Sequence, residues 1–389
     1  MFHWLNRGSA RARSLLLLGV ASVSLALPAA AQDLRSRFPA DVRPLLADLS
    51  DPLVKALLEV RESKPDTLIW RDGGGALGDA ERKAYWDGWE KITGWKVRNV
   101  SPSANPPDVE AQVQSGNPQF DVFETKSGAN AILEQQQNLL EKLDPELFDP
   151  IFAKFPKGYL HSPYWLEYTK STGIVIFNKK KWPLSGKHPT DVTDLFNVKD
   201  FPGKRCFYKF LNATGTLEYP LLADGVPRDK LFPLDVDRAL KKLDAIRDDI
   251  VWWTGGAQSV QLVLDGECDI GITWHGRAAA LFAQNPDTPL GVVWKNAQVG
   301  NAPFAIVKGT QRAKAAQTAL AYAFQGKQMC GLLNSLGYGV PIDESCLSDF
   351  AKNWAVTAEK IPLVIPADND WYLKNYNEAT DKFNAWLQK

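Results

Sequence analysis

Four short clusters of this sequence hold the residues best suited to gripping a small polar solute. The first is Trp70-Arg71-Asp72-Gly73-Gly74, and the second is Thr125-Lys126-Ser127. The third is Thr214-Gly215-Thr216, and the fourth runs from Trp252-Trp253 to Trp274, with Asn301 beyond it. Arg71 and Lys126 supply positive charge, while Thr125, Ser127, Thr214 and Thr216 place hydroxyls beside expected helix N-termini. That set suits a carboxylate, sulfonate or phosphonate. Asp72, Glu124 and Glu167 can hold an amine at the other end. Trp274, with Trp253 or Trp252, can wall the site, and Gly73 and Gly74 let backbone approach a ligand. A plainer arrangement has Arg71 and Lys126 solvated, or paired internally with Asp72 and Glu124. His275 and Arg277 fall outside the ligand set, as caps of the strand that ends at Trp274.

Catalytic patterns are missing. The sequence has no G-x-S-x-G, H-E-x-x-H or P-loop run. Its histidines after the leader, His161, His188 and His275, have no metal-ligand spacing to each other or to the cysteines. No cofactor and no metal site is expected.

Parallel α/β units position these clusters. Gly255-Gly256 opens a helix carrying Val260, Leu262, Val263 and Leu264. Asp265-Gly266 turns into Asp269–Trp274, a strand buried on both faces. Such a unit brings a helix N-terminus and a strand C-terminus to one sheet edge, where a ligand can sit. Strands are also expected at 67–70, 95–100, 120–123, 173–178, 291–294 and 305–307, and one from about Gly203. Helices start near Asp79 and Gly128, and a long alanine-rich one spans about Arg312 to Leu336. Strands alternate with helices, so the class is α/β with mainly parallel sheets.

Arg7, Arg11 and Arg13, the apolar run Leu15–Leu27 and Pro28-Ala29-Ala30-Ala31 predict a secretory signal peptide over 1–31. No cysteine follows the cleavage site, so the mature chain is expected to be exported without lipidation. Removing those three arginines from 45 basic and 45 acidic residues leaves a slight acidic excess, which suits no nucleic-acid surface. Residues 32–65 read as a helical extension, with Ser50-Asp51-Pro52 as a cap. The remaining length suggests two domains. Four cysteines permit two disulfides, and of three connectivities the pairs Cys206–Cys268 and Cys330–Cys346 are preferred.

The run G-A-Q-x-x-Q-L-x-x-x-G-E-x-D-x-G-I-x-W-x-G-R at 256–277 is similar to the spermidine/putrescine-type solute-binding proteins of bacterial ABC importers. K-x-T-G-W-K-V at 91–97, F-D-V at 120–122, S-P-Y-W at 162–165, F-P-G-K at 201–204, L-G-Y-G-V-P at 336–341 and F-N-A-W-L at 383–387 follow in the family's order. The resemblance implies the two-lobed type II periplasmic fold, with crossovers near Tyr164–Ser171 and Lys295–Gly300. Lobe 1 would be 66–168 plus 300–338, and lobe 2 would be 169–299 plus 339–389. It also implies a monomer that binds a small solute and docks on a permease. The polyamine cage itself is largely replaced: its first aromatic by the glycine run, its acidic pair by Leu211–Gly215, its late Trp-x-Asp by Gly300-Asn301-Ala302. An acidic group on the solute is therefore expected. A polyamine is the alternative, and an exported enzyme using a cleft cysteine is the alternative of another class.

Overall fold

The computed structural model describes residues 34–211 and 215–389. The predicted signal peptide and Thr214 lie outside the described residues. Among the described residues nine strands form one mixed sheet: β1 Thr67–Arg71, β2 Lys96–Val100, β3 Val122–Glu124, β4 Trp165–Asn178, β5 Arg205–Tyr208, β6 Ile250–Trp253, β7 Ile270–Trp274, β8 Leu290–Ile306 and β9 Ile365–Pro366. Their order is β2-β1-β3-β8-β4-β7-β5-β6, with β9 beside β8.

Two hydrophobic cores lie at either end of this sheet. One gathers Leu68, Trp70, Trp86, Trp89, Phe148, Phe304 and Leu320; the other gathers Ile174, Ile176, Phe207, Trp253, Ile272, Val293 and Phe383. β4 and β8 run from one core into the other, antiparallel and paired from Trp165↔Ala305 to Asn178↔Leu290. Their ladder is irregular between Glu167 and Thr169 and between Gly173 and Val175. The hydroxyl of Tyr219 fills the second irregularity, donating to the Gly173 carbonyl and accepting the Gln298 N–H at 2.8 Å. Extra residues of this kind loosen and re-aim a ladder. The implied crossovers fall on these two strands.

The sheet is less parallel than alternation suggests. β1–β2, β1–β3, β5–β6, β5–β7 and β8–β9 are parallel, but every pair between β3, β8, β4 and β7 is antiparallel. The cause is the continuity of β8. The expected strands at 291–294 and 305–307 belong to a single strand, because Gln298–Pro303 stays paired with β4 beyond a bulge at which Asn296 has φ near +62°. Likewise the expected long helix breaks at Phe324–Gln325 into Ala313–Ala323 and Gly326–Leu336. In the N-terminal segment Ser50 precedes the helix Asp51–Glu62 without a side-chain capping bond, and the helix buries Leu53, Val54, Leu57, Leu58 and Val60.

Both preferred disulfides are present. Cys206–Cys268 ties β5 to the approach to β7 with Cα atoms 5.7 Å apart, and Cys330–Cys346 pins Gly326–Leu336 to the following turn. No cysteine is free. A cysteine nucleophile in the cleft is therefore excluded. Among the described residues no helix is long and apolar enough to cross a membrane.

Candidate functional site

The C-terminal ends of β1 and β3 face those of β5, β6 and β7 across the middle of the sheet. Each strand end leads into a helix start, so backbone N–H groups line both sides.

The first wall starts where β1 ends. Arg71 turns away from it: its Nε donates to the Pro102 carbonyl at 2.7 Å, its Nη2 pairs with Asp108 at 3.0 Å, and its guanidinium covers Phe120. Internal pairing holds for Arg71, with Asp108 as the partner where Asp72 or Glu124 was expected. Asp72 is fully buried and accepts from Gly74 N at 2.6 Å and Asn99 Nδ2 at 2.7 Å. Gly74 and Gly75 have φ near +63° and +61°, so the chain doubles back over Asp72. At the end of β3, Glu124 accepts from Gly73 N at 2.9 Å, Ser103 Oγ at 2.7 Å and Tyr168 OH at 3.2 Å. Burial first, then the charge of Asp72, raises the Glu124 carboxyl to about 7. Thr125 is buried with its hydroxyl on the Ser127 carbonyl, and Ser127 caps the helix Gly128–Gln136 through Asn130 N. Lys126 is exposed and makes no hydrogen bond or ion pair among the described residues.

Several expected ligand residues are committed elsewhere. Trp70 is completely buried in the first core, its ring 5.0 Å from Phe304 and 5.6 Å from Tyr85. Glu167 is buried too, with one oxygen on Lys170 Nζ at 3.0 Å and the other on Leu160 N at 2.8 Å. Asn301 accepts from Asn369 Nδ2 at 3.2 Å, a contact between β8 and the C-terminal helix Asn369–Leu387. Asn369 also packs on Gly128, so this contact joins the two sides of the cleft.

The second wall is aromatic and carries a cation. Trp253 is fully buried, and Trp274 stands perpendicular to it with ring centres 5.1 Å apart. Tyr208 flanks both, at 4.5 and 5.3 Å. Trp274 remains partly open, and its ring lies against Gly256, where a Cβ would stand 3.0 Å from it. Arg277 passes over the same glycine, its Nε 2.6 Å from that Cβ position. Its Nη1 reaches to 3.8 Å from the corresponding point on Gly75 of the opposite wall. The Arg277 Nε is buried and has no hydrogen-bond partner among the described residues. Read from the sequence as a cap of the strand end, Arg277 spans the cleft with a donor that no described residue takes up. A signal was available, since a cation in the first turn of the helix His275–Gln284 opposes the helix dipole and needs another reason to be there.

His275 is a structural anchor. Its Nδ1 accepts Thr172 N at 3.1 Å and its Nε2 faces the Gly337 carbonyl at 3.4 Å; burial lowers its pKa to about 4, so the ring is neutral. Tyr338 packs on His275 and Gly276, closing the floor beneath Arg277. Sequence reasoning passed over Tyr208 and Tyr338 because their roles depend on which strand ends meet. Among the described residues no group of three or more His, Cys, Asp or Glu is arranged to hold a metal.

The site can clamp a small solute with an acidic end toward Arg277 and a cationic end toward Glu124. A γ-aminobutyric acid-binding protein of Pseudomonas aeruginosa is 30% identical over 344 residues, spanning 86% of this chain and 94% of its own. The solved structure of the Atu4243–GABA receptor superimposes with a TM-score of 0.73 at 29% identity, covering 82% of this chain and 97% of that one. AgtB from Agrobacterium tumefaciens R10, solved with agropinic acid, gives 0.71 at 26% identity over 84% and 100% of the two chains. Residues 84–358 match the family described as bacterial extracellular solute-binding proteins, without singling out a polyamine type. With most of its length inside that match, the chain belongs to the bacterial extracellular solute-binding protein family.

Proposed function

We propose that this protein is the solute-binding component of a bacterial ABC importer and captures a small amino-carboxylate between two lobes. It works in the periplasm as a monomer, unlipidated after removal of residues 1–31, and delivers its solute to the importer's permease subunits. Capture is the whole task, with no chemical step and no cofactor. The observation that carries the reading is Arg277, a cleft guanidinium whose buried Nε lacks a partner. A buried donor left unmade costs about 1–3 kcal/mol, and more for a charged group. A carboxylate supplies the missing acceptor.

The rest of the site suits a zwitterion. Trp274 offers a partly open ring face, the helix Gly256–Leu264 starts without a side-chain cap, and Glu124 offers a carboxylate on the other wall. Gly73, Gly74, Ser127 and Lys126 border the entrance, and Thr214, outside the described residues, is kept as a ligand candidate on its sequence alone. The lobes are 66–168 with 300–338 and 169–299 with 339–389; residues 32–65 brace the first. Closure bends β4 and β8 at their two irregularities. Relatives named for γ-aminobutyrate and agropinic acid favour an acidic solute.

Calorimetry with γ-aminobutyrate, longer and shorter ω-amino-carboxylates, an aminophosphonate, putrescine and spermidine tests this. One-site binding of an amino-carboxylate, with spermidine inert, is expected. Micromolar or tighter binding of spermidine alone would overturn it and restore the polyamine alternative.

A further inference from the structure

Glu81 lies beneath the glycine loop, at the end of the helix Ala76–Glu81 that the loop begins. A π-helical turn, Arg82–Trp86, follows and brings Tyr85 and Trp86 inward beside it. Its side chain is fully buried, no hydrogen bond of good geometry reaches either carboxyl oxygen, and the one donor beside it is the Tyr85 hydroxyl. Its other neighbour is a second carboxyl, that of Asp72, within hydrogen-bonding contact. Asp72 is already an acceptor on both oxygens, from Gly74 N and Asn99 Nδ2. Both bonds favour an ionised Asp72. Two carboxylates in contact in a dry site cannot both be ionised, so one proton must be held between them. It belongs on Glu81, which has at most the Tyr85 hydroxyl where Asp72 accepts two N–H groups.

We infer that Glu81 is a neutral carboxylic acid which donates to Asp72 and thereby positions the Gly73–Gly75 loop opposite Arg277. It is a positioning residue that does not touch the solute. The inference rests on the reading that this loop is a wall of the solute site. The groups facing Glu81 are Asp72, Tyr85, Glu124 and Tyr168, with Arg277 acting on Asp72 from the other wall. None except Arg277 is cationic. Burial, then the charge of Asp72, holds the Glu81 carboxyl well above the ordinary carboxylate range.

Charge balance at the wall then narrows the solute. With Glu81 neutral, Asp72 and Glu124 are the carboxyls left on this wall; Asp72 is enclosed by its own donors, and Glu124 is the acid facing a ligand amine. One ammonium is matched and a second is not. The site therefore takes a monoamine acid, and a diamine chain meets too little negative charge.

The sign of the pH effect follows. A carboxyl raised in the fold contributes stability that is fully present below its unfolded value, 4.5, and is lost as pH rises through the folded value. Glu81→Gln keeps a donor toward Asp72 and cannot ionise, so it removes that loss. Glu81→Leu removes the donor. Asp72→Asn replaces the carboxylate that accepts the Glu81 proton with a weaker amide acceptor, while burial keeps Glu81 neutral.

Infrared difference spectra at neutral pH, together with hydrogen exchange of the 73–75 amides, test the assignment without any ligand. The expected result is a protonated-carboxyl band in the full-length wild type that disappears in Glu81→Gln and moves to higher frequency in Asp72→Asn. The loop amides of Glu81→Gln stay protected, and those of Glu81→Leu exchange about tenfold faster or more. A spectrum unchanged in both variants overturns the inference. So does equal loop exchange in Glu81→Gln and Glu81→Leu. If Glu81→Gln fails to fold, Asp72→Asn still decides through the band. Failure of γ-aminobutyrate to bind, with band and protection as expected, counts against the solute reading and leaves the Glu81 assignment standing.

Discussion

The two walls of the cleft treat their charges in opposite ways. On the first, Arg71 and Asp72 have partners within their own wall, a carbonyl, a neighbouring acid, a turn amide and a side-chain amide, and Glu124 keeps acceptor capacity at the oxygen that Tyr168 donates to. On the second, Arg277 crosses the gap with an unused donor beside an open aromatic face. The first wall is mostly pre-satisfied. The second waits for a ligand. A charged residue near a cleft is thus informative only when its alternatives have been accounted for, because a saturated ion pair has little left to give a solute.

The sharpest break of this contrast is a pair of matched substitutions. Arg277→Met should weaken binding of the solute by on the order of 2–5 kcal/mol, the loss seen when one partner of a buried charge pair is removed. Arg71→Met should leave affinity nearly unchanged and cost at most about 1 kcal/mol of stability, since its pair with Asp108 is partly exposed. Titration calorimetry of both, with thermal melts, reads the two effects. Equal losses of affinity would erase the difference between the walls.

This contrast explains what could be read in the sequence. The strand-turn-helix unit at Trp252–Arg277 was legible because β7, Asp-Gly turn and helix are each local patterns. The disulfides were legible because Cys206 and Cys268 open neighbouring strands. The continuity of β8 was not, because Asn301-Ala302-Pro303 looks like a break until β4 is seen beside it. Nor was the fate of Arg71: its partner Asp108 lies 37 residues on, and only the approach of the helix Pro106–Gln114 brings it close. Glu81 gave no signal either, because its burial depends on the π-helical turn that follows. Residues set by one element were readable, while those set by the meeting of two were not.

A smaller effect tests the aromatic half of the second wall. Trp274→Ala should weaken binding by about 1–3 kcal/mol if the solute stacks on its open ring. Trp253, buried behind it, serves as the contrast: Trp253→Ala should lower stability through lost core packing before it alters recognition. Ligand-induced fluorescence change should vanish with Trp274 and persist in any folded variant lacking Trp70. An unchanged dissociation constant for Trp274→Ala would return that ring to the core.

The smallest effect belongs to Lys126. This side chain is exposed at the start of the helix capped by Ser127 and has no partner among the described residues. Its charge can be felt by an approaching anion, yet water and salt screen it, with a Debye length of about 8 Å at physiological ionic strength. An exposed charge of this kind changes encounter more than it changes the bound state. Lys126→Met should therefore shift equilibrium affinity by no more than about 0.5 kcal/mol. The loss should fall on the association rate, and it should shrink as salt rises. Stopped-flow binding by tryptophan fluorescence at low and high ionic strength separates these contributions. A loss of affinity as large as that of Arg277→Met, insensitive to salt and expressed in the dissociation rate, would place Lys126 on the ligand itself and make the first wall a second grip.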